Sequence, residues 1–181
     1  MNISIAQLSA AIGCPTERAQ VWMDPLNSAM YNYQINTPQR QAAFLAQIGH
    51  ESGRLVHVRE IWGPTPAQSR YEYRIGLGNT EPGDGLRYRG RGLIQITSRA
   101  NYKQVSDALG VDFITSPVML EWPNHAANSA AWFWITHGCN ELADAGNFEA
   151  ITRRINGGLN GQTDRLALWG SAKESLEVQS V

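Results

Sequence analysis

Two glutamates near the middle of the chain have the surroundings that acid–base chemistry requires. Glu51 lies in the string GHESG at 49–53, at the end of a predicted helix that is otherwise apolar. The negative end of the helix dipole and partial burial against Phe44 and Ile48 favour a protonated carboxyl group, which a general acid needs. Glu60 follows beyond a glycine, where a more solvated carboxylate stays ionised and can act as a base.

The spacing of the two glutamates allows their carboxyl groups to face each other across a cleft. In glycoside hydrolysis, a separation of about 6.5–9.5 Å leaves room for a water and gives inversion, whereas about 5–5.5 Å gives retention. The sequence does not fix this distance, and it leaves open that both residues are ordinary surface acids. A zinc site is disfavoured, because the histidine after His50 is His57, which is too far along for a zinc-binding helix face.

A second candidate segment is YRGRGLIQIT at 88–97. Gly90 and Gly92 allow a close approach of the backbone. We predict a short strand at 93–96, so that Gln95 and Thr97 face the same side, where Thr97 can bind a water and Gln95 a sugar amide. Arg-Gly repeats also occur in RNA-binding tracts, but one copy in a chain of net charge −1 is a weak indication, and no phosphate-loop string is present.

The third candidate segment is INGG at 155–158, which precedes Arg165. Asn-Gly-Gly after a helix is typical of a helix C-terminus, where glycine adopts the left-handed conformation without strain. A helix stop explains this segment about as well as a functional role does. The pattern alone therefore leaves both interpretations open.

The composition of this 181-residue chain favours a neutral, polyhydroxylated ligand such as a sugar. Charged residues make up 17% of the chain, against roughly 25% in an average globular protein. Polarity comes instead from 12 Asn and 11 Gln, beside 17 Gly and 6 Trp. The near-zero net charge argues against nucleic-acid binding and against disorder, and no apolar run approaches the roughly 18 residues of a membrane helix. We therefore expect no nucleic-acid partner and no stable membrane insertion.

Helix signals dominate the chain and predict a single, mainly α catalytic domain over 1–181. Helices within 1–36 are expected to pack on the remainder, and the Gly- and Pro-rich stretch at 61–92 is predicted to form a long cleft loop region. N-cap, proline and glycine signals place the helices. The predicted helices are 3–12, 25–33 after Asp24, 38–52 after Thr37, 99–109 after Ser98, 125–137 after Asn124, 148–155 after Asn147, and 163–176.

These segments, in this order, resemble glycoside hydrolase family 19, the chitinase-like enzymes that include bacteriophage endolysins. The matching strings are AAFLAQIGHESG at 42–53, GNTEPGDG at 78–85, YRGRGLIQIT at 88–97 with Asn101 and Tyr102 after it, SAAWFW at 129–134, and INGGLNG at 155–161. The resemblance covers about residues 15–175 and points to the phage branch. It implies a mainly α, lysozyme-like fold with two lobes, a small extended segment and a central cleft, and inverting hydrolysis of β-1,4 bonds to N-acetylated sugars.

The same resemblance assigns roles to single residues. Glu51 matches the general acid, Glu60 the general base, and Thr97 the residue that holds the attacking water. Arg165 is also expected to offset negative charge near Glu60, and Trp62 either stacks on a sugar ring or anchors its loop. No metal or cofactor is implied. The substrate-binding candidates are Gln95, Asn101, Asn156, Arg165, Trp62 and Tyr88.

Several functions share this chemistry. Our leading hypothesis is an endolysin of the muramidase type, which cleaves peptidoglycan between N-acetylmuramic acid and N-acetylglucosamine for host lysis. The N-terminus lacks the pattern of a signal peptide, so we expect a monomer that stays in the host cytoplasm until a holin opens access to the wall. The alternatives are a chitinase, an antibacterial muramidase toxin, and an inert carbohydrate-binding protein, which the presence of Glu51, Glu60 and Thr97 disfavours.

The chain has only two cysteines, Cys14 and Cys139, and no CxxC string. This usage favours two buried thiols over a metal site or a redox motif. A single disulfide between the two remains an alternative at this stage, because spacing in the sequence does not show whether the residues lie close together in space.

Overall fold

The computed structural model describes residues 2–178, and helices dominate this part of the chain. The α-helices are α1 (Ile5–Ile12), α2 (Thr16–Asn32), α3 (Pro38–Glu51), α4 (Pro66–Ser69), α5 (Asp84–Arg87), α6 (Arg99–Leu109), α7 (Pro123–Thr136), α8 (Cys139–Asp144), α9 (Phe148–Asn156) and α10 (Gln162–Ser175). Two short 3-10 helices lie at Ile75–Leu77 and Pro117–Glu121. Within the described residues, no helix is both long and apolar enough to cross a membrane. The expected mainly α fold is confirmed.

Local signals explain where α3 begins and ends. The hydroxyl of Thr37 accepts a hydrogen bond from the backbone N–H of Arg40 at 3.3 Å. Pro38 occupies the first turn, where its fixed φ suits a helix and no N–H is required. Gly53 then adopts a φ of 57°, which turns the chain away from the helix axis. These signals place Glu51 at the last helical position, one residue before the predicted end at 52.

Helix α2 begins at Thr16, well before the predicted start, so the interpretation of Asp24 as an N-cap is wrong. Pro25 lies inside the helix and leaves the carbonyl of Val21 without its usual donor. Val21 is 58% exposed, so this carbonyl lies on a side of the helix that water reaches. Burial of Trp22 and Leu26 on the other side outweighs the lost hydrogen bond.

The predicted strand at 93–96 is also wrong. Among the described residues, the extended pairing is limited to isolated bridges between Arg59 and Arg91 and between Arg91 and Ile96. The backbone N–H of Arg91 donates to Ile96 at 3.1 Å, and that of Ile96 donates back at 2.8 Å. The segment is therefore a tight turn, and Leu93 and Ile94 are apolar because they are buried. Strand alternation does not place Gln95 and Thr97.

The boundaries around α7 differ from the prediction as well. Pro123 begins the helix, so Asn124 lies in its first turn and does not cap it. Gly138, with a φ of 63°, leads directly into α8, which the sequence analysis did not predict. A helix of six residues contains too little of the 3.6-residue repeat to give a clear pattern.

Two hydrophobic cores divide the molecule into a larger and a smaller lobe. The larger core includes Phe44, Leu45 and Trp134, and helices α1–α3 and α7–α10 contribute to it. The smaller core consists of Tyr88, Ile96, Tyr102, Val105, Phe113 and Leu120. The segment 88–97 contributes to both cores, because Leu93 and Ile94 are buried in the larger one. This segment therefore ties the two lobes together.

Cys14 and Cys139 are free thiols in the larger core, with 6% and 0% exposure. Burial raises the pKa of Cys139 to about 12 and raises that of Cys14 as well. Both thiols are therefore protonated at neutral pH. The interpretation as two buried thiols is confirmed, and the disulfide alternative does not hold.

Candidate active site

Glu51, the predicted acid, is held by a buried arginine. Arg165 Nη2 donates to Glu51 Oε1 at 2.5 Å, and the side chains are 1% and 23% exposed, respectively. The same guanidinium donates through Nη1 to Gln47 Oε1 at 2.5 Å and through Nε to the carbonyl of Asn160 at 3.2 Å. Because three acceptors fix this planar group, it holds the Glu51 carboxylate in one position.

The support continues into the larger lobe. Gln47 Nε2 donates to Thr152 Oγ1 at 2.8 Å, and the Thr152 hydroxyl donates to the carbonyl of Phe148 at 3.3 Å. Gln47 and Thr152 are fully buried. Since Gln47 accepts from Arg165 and donates to Thr152, its amide has one favourable orientation. Residues of α3, α9 and α10 thus form a continuous network that ends at Glu51.

The pairing of Arg165 with Glu51 corrects the expectation that Arg165 lies near Glu60. Helix α10 packs against α3 and α1, which brings the first turn of α10 to the C-terminal end of α3. Arg165 is also too deeply buried to contact a substrate directly. It is a positioning residue for Glu51, and no local signal in the sequence predicts this contact.

Glu60, the predicted base, lies in the loop after α3 and is held by three donors. Gln68 Nε2 and the Tyr71 hydroxyl donate to Oε1 at 3.0 and 3.3 Å. The backbone N–H of Gly90 donates to Oε2 at 3.0 Å, and the N–H of Glu60 donates to the Gly90 carbonyl at 2.8 Å. Neutral donors stabilise a carboxylate without adding a cation. Burial and the neighbouring Glu60 raise the pKa of Tyr71, which keeps its hydroxyl protonated.

The main-chain contact to Glu60 depends on glycine at position 90. A Cβ atom there would lie 2.4 Å from Gln95 Oε1 and 3.1 Å from Gln95 Cβ. The predicted close approach of the backbone at Gly90 is therefore present, and it places Gln95 beside the segment that holds Glu60. Gln95 itself is half-buried.

Two partners of Glu60 were missed because they lie in the stretch predicted as loop. Gln68 belongs to α4, where it forms a capping box with Thr65. Its Oε1 accepts from the N–H of Thr65 at 2.8 Å, and its Nε2 is thereby aimed at Glu60. The string Thr-Pro-Ala-Gln at 65–68 carries the capping-box signature and could have revealed this short helix. Tyr71 follows one turn later without a comparable signal.

Thr97, the predicted water-holding residue, is half-buried and lies directly after the turn at 92–95. Its carbonyl accepts from Asn101 Nδ2 at 2.8 Å. The neighbouring Ser98 occupies the N-cap position of α6 with a φ of 79°, but its buried hydroxyl makes no capping bond. Asn101 thus fixes the backbone at Thr97.

A cavity of about 470 Å³ adjoins Glu60. It is lined by residues 56–62 together with Arg89 and Glu121. Trp62 is half-buried in this wall, and its ring lies 6.1 Å from the ring of Tyr71. The space is large enough for a sugar residue, and its wall combines an aromatic face with charged side chains.

Comparison with known proteins decides the family. The profile of the family described as Chitinase class I matches residues 33–146. A glycosyl hydrolase family 19 domain-containing protein of Haemophilus influenzae is 36% identical over 157 residues, which cover 72% of this chain and 76% of that protein. The chain belongs to glycoside hydrolase family 19. An endochitinase of Arabidopsis thaliana is 39% identical over 118 residues, and this match spans only 39% of the plant protein.

Solved structures agree on the fold of this family 19 domain. A bacterial family 19 chitinase is 26% identical, with a TM-score of 0.78 and coverage of 99% of this chain and 97% of that chain. Chitinase C from Streptomyces griseus has a TM-score of 0.76 at 24% identity and covers 97% of this chain and 76% of its own, which shows the fold. The expected lysozyme-like helical architecture is confirmed, and the protein is a glycoside hydrolase.

Tyr88 and Asn156 were also predicted to contact the substrate, and the structure places their side chains in two different environments. Tyr88 is 1% exposed, its hydroxyl donates to the carbonyl of Ile114 at 3.2 Å, and its ring packs on Tyr102. The predicted contact of Tyr88 with substrate is wrong, because the side chain belongs to the smaller core. Asn156 ends α9 before Gly157, which has a φ of 74°, so the helix-stop interpretation is confirmed. Asn156 Nδ2 is buried without an acceptor among residues 2–178.

His50 belongs to a polar network beside the acid, in which Arg54 and Asp164 form an ion pair. Its Nδ1 lies 2.6 Å from Asp164 Oδ2, and Arg54 Nη2 lies 2.5 Å from Asp164 Oδ1. Arg54 and His50 hold the pKa of Asp164 below its usual range. Within the described range 2–178, no group of three or more His, Cys, Asp or Glu side chains is arranged to hold a metal ion.

Proposed function

We propose that this family 19 hydrolase cleaves β-1,4 bonds between N-acetylmuramic acid and N-acetylglucosamine in peptidoglycan, by an inverting acid/base mechanism. The observation that carries the proposal is the contrast between two carboxyl groups, one paired with a buried cation and one held by neutral donors. Both carboxyl groups are thus held in fixed positions, and the resemblance to the family assigns the acid role to Glu51 and the base role to Glu60. The expected gain from each positioned acid or base is about 10²–10⁴-fold in rate.

Glu51 acts as the general acid. Arg165 engages Oε1, and within residues 2–178 no donor reaches Oε2, so Oε2 is the oxygen that delivers the proton to the glycosidic oxygen. When the proton leaves, a carboxylate forms next to the guanidinium. Arg165 stabilises that charge without having to move, which is the advantage of a preorganised group.

Glu60 acts as the general base. Its Oε2 accepts a single hydrogen bond, from Gly90, and each carboxylate oxygen has two lone pairs. The second lone pair accepts a proton from the attacking water, which Thr97 holds through its hydroxyl. Attack on the face opposite the leaving group gives a product with inverted anomeric configuration.

We assign peptidoglycan in preference to chitin because of the charge beside Glu60. Arg59 and Arg89 line the cavity together with Glu60 and Glu121, and Arg89 has no ion pair among residues 2–178. Peptidoglycan strands carry carboxylates, whereas chitin is neutral.

The proposed biological role is that of an endolysin, a monomer reaching the wall from the host cytoplasm through a holin, and it rests on the resemblance to the phage branch. Chitin is the second candidate substrate, because several relatives are named as chitinases.

The test measures the loss of turbidity of permeabilised Gram-negative cells beside the hydrolysis of an N-acetylglucosamine hexamer. We expect faster cleavage of peptidoglycan than of the hexamer. An NMR time course on the products should show the α-anomer first. Cleavage of the hexamer alone contradicts the peptidoglycan assignment, and an initial β-anomer contradicts inversion.

A further inference from the structure

Two arginines beside the Glu60 cavity, Arg59 and Arg91, share the acidic partner Glu121. Arg91 Nε donates to Glu121 Oε1 at 2.8 Å. Arg59 Nη1 lies 3.5 Å from Glu121 Oε2, and the Arg59 side chain is 53% exposed. Arg89, which lines the same cavity, has no ion pair among residues 2–178. The cluster therefore has more positive than negative charge.

Arg89 is the member of this cluster whose donors are least satisfied. The residue is half-buried, and its Nε is buried without an acceptor within the described residues. Burial, together with the neighbouring Arg91 and Arg59, lowers the pKa of Arg89. A buried N–H without an acceptor is unfavourable, and native proteins rarely keep one without a reason. Because Arg89 lines the cavity, an anion there can accept from the outer N–H groups of the same guanidinium.

The nearby protein acceptors are already engaged. Glu121 is held by Arg91 and Arg59, and Glu60 accepts from Gln68, Tyr71 and Gly90. Arg91 is also held by two hydrogen bonds, because its Nη1 donates to the carbonyl of Arg87 at 2.7 Å and to the Tyr102 hydroxyl at 2.8 Å. Arg89 has no ion pair among residues 2–178, so its guanidinium is available to an anion that enters the cavity.

We propose that Arg89 binds a carboxylate of the glycan substrate and determines specificity for acidic over neutral strands, with Arg59 at the exposed rim of the same cavity. This inference rests on the proposed function and deepens it. The carboxylate has two possible sources in peptidoglycan. It is the lactyl group of N-acetylmuramic acid where the stem peptide has been removed, or a carboxylate of the stem peptide where it is present.

The test compares wild type with Arg89→Gln on three substrates. They are the neutral N-acetylglucosamine hexamer, glycan strands stripped of peptides, and strands that carry stem peptides. We expect kcat/KM to fall about tenfold on an acidic strand and to stay within about twofold on the hexamer, as for loss of one charge-assisted hydrogen bond. The strand type that shows the loss identifies the source of the carboxylate. Methyl-esterified strands should be cleaved equally by both proteins.

The matched control is Arg153→Gln, which removes the same charge from an exposed ion pair on α9. It should leave all rates unchanged. Arg89→Lys, which keeps the charge, should retain part of the preference for acidic strands. An equal loss on neutral and acidic substrates, or no loss on either, overturns the inference.

The two proposals fail in different ways. Wild-type enzyme that cleaves the hexamer but no peptidoglycan strand contradicts the peptidoglycan assignment. Carboxymethyl chitin and neutral glycol chitin then test Arg89 separately. A tenfold loss confined to carboxymethyl chitin supports the carboxylate site, and equal rates of wild type and variant on both polymers overturn it.

Discussion

The two carboxyl groups of the site are positioned by different parts of the molecule. Glu51 is held by contacts between helices, and the bonds from Arg165 to Glu51 and to Gln47 join residues 114 and 118 apart in sequence. Glu60 is held by a loop region, and its partners lie 8, 11 and 30 residues away. The acid therefore depends on how the larger lobe packs, whereas the base depends on the local path of the chain.

This difference matches the chemistry proposed for each group. An acid that loses its proton during bond cleavage gains from a fixed cation, and the packed helices of the larger lobe keep Arg165 buried. A base must keep a stable negative charge and still be able to accept a proton. Neutral hydrogen-bond donors allow both. We therefore expect the contacts of Glu51 to contribute to the stability of the whole domain, and those of Glu60 to affect mainly the site. Three variants test the comparison.

The largest expected effect follows removal of the acid. Glu51→Gln should lower the rate of wall hydrolysis about 10³-fold, because the amide donates no proton and keeps the shape of the side chain. The measurement is turbidity loss, with circular dichroism to show that the fold is retained. Glu149→Gln, which changes an exposed glutamate on α9, is the control and should leave activity unchanged. Activity of Glu51→Gln within tenfold of wild type would refute its role as the acid.

Next in size is the loss of the buried cation. Arg165→Met should lower the free energy of unfolding by about 3–5 kcal/mol, because Glu51, Gln47 and the Asn160 carbonyl lose their donor together. Urea denaturation measures this change. Activity should fall as well, since Glu51 loses its fixed position. If the variant is as stable as wild type, the network does not support the larger lobe as described.

The smallest effect is expected on the side of the base. Tyr71→Phe removes one 3.3 Å hydrogen bond to Glu60 and should lower kcat about threefold, which corresponds to a net hydrogen bond of about 0.5–1.5 kcal/mol. The midpoint of urea denaturation should change little. A loss of stability as large as that of Arg165→Met would remove the distinction between the two halves of the site.

The helix ends that depend on local signals were predicted from the sequence. Thr37, Pro38 and Gly53 mark the ends of α3, and they place a glutamate at its last position. The capping of α9 by Asn147 was predicted for the same reason. By contrast, the 93–96 segment is apolar because it is buried, and burial alone does not distinguish a turn from a strand. The sequence contained no signal for the pairing of Arg165 with Glu51, because that contact arises only when α10 packs on α3.

The segment 88–97 also has a mechanical consequence. Its ends are buried in one core and its middle in the other, while Gly90 bonds to both the amide and the carboxylate of Glu60. A motion that separates the two lobes would remove apolar side chains of this segment from one of the two cores. We therefore expect the cleft between the two lobes to keep a nearly constant width when a glycan strand binds along it. The free energy of strand binding is then available for distorting the sugar at the cut, because little of it is needed to close the enzyme.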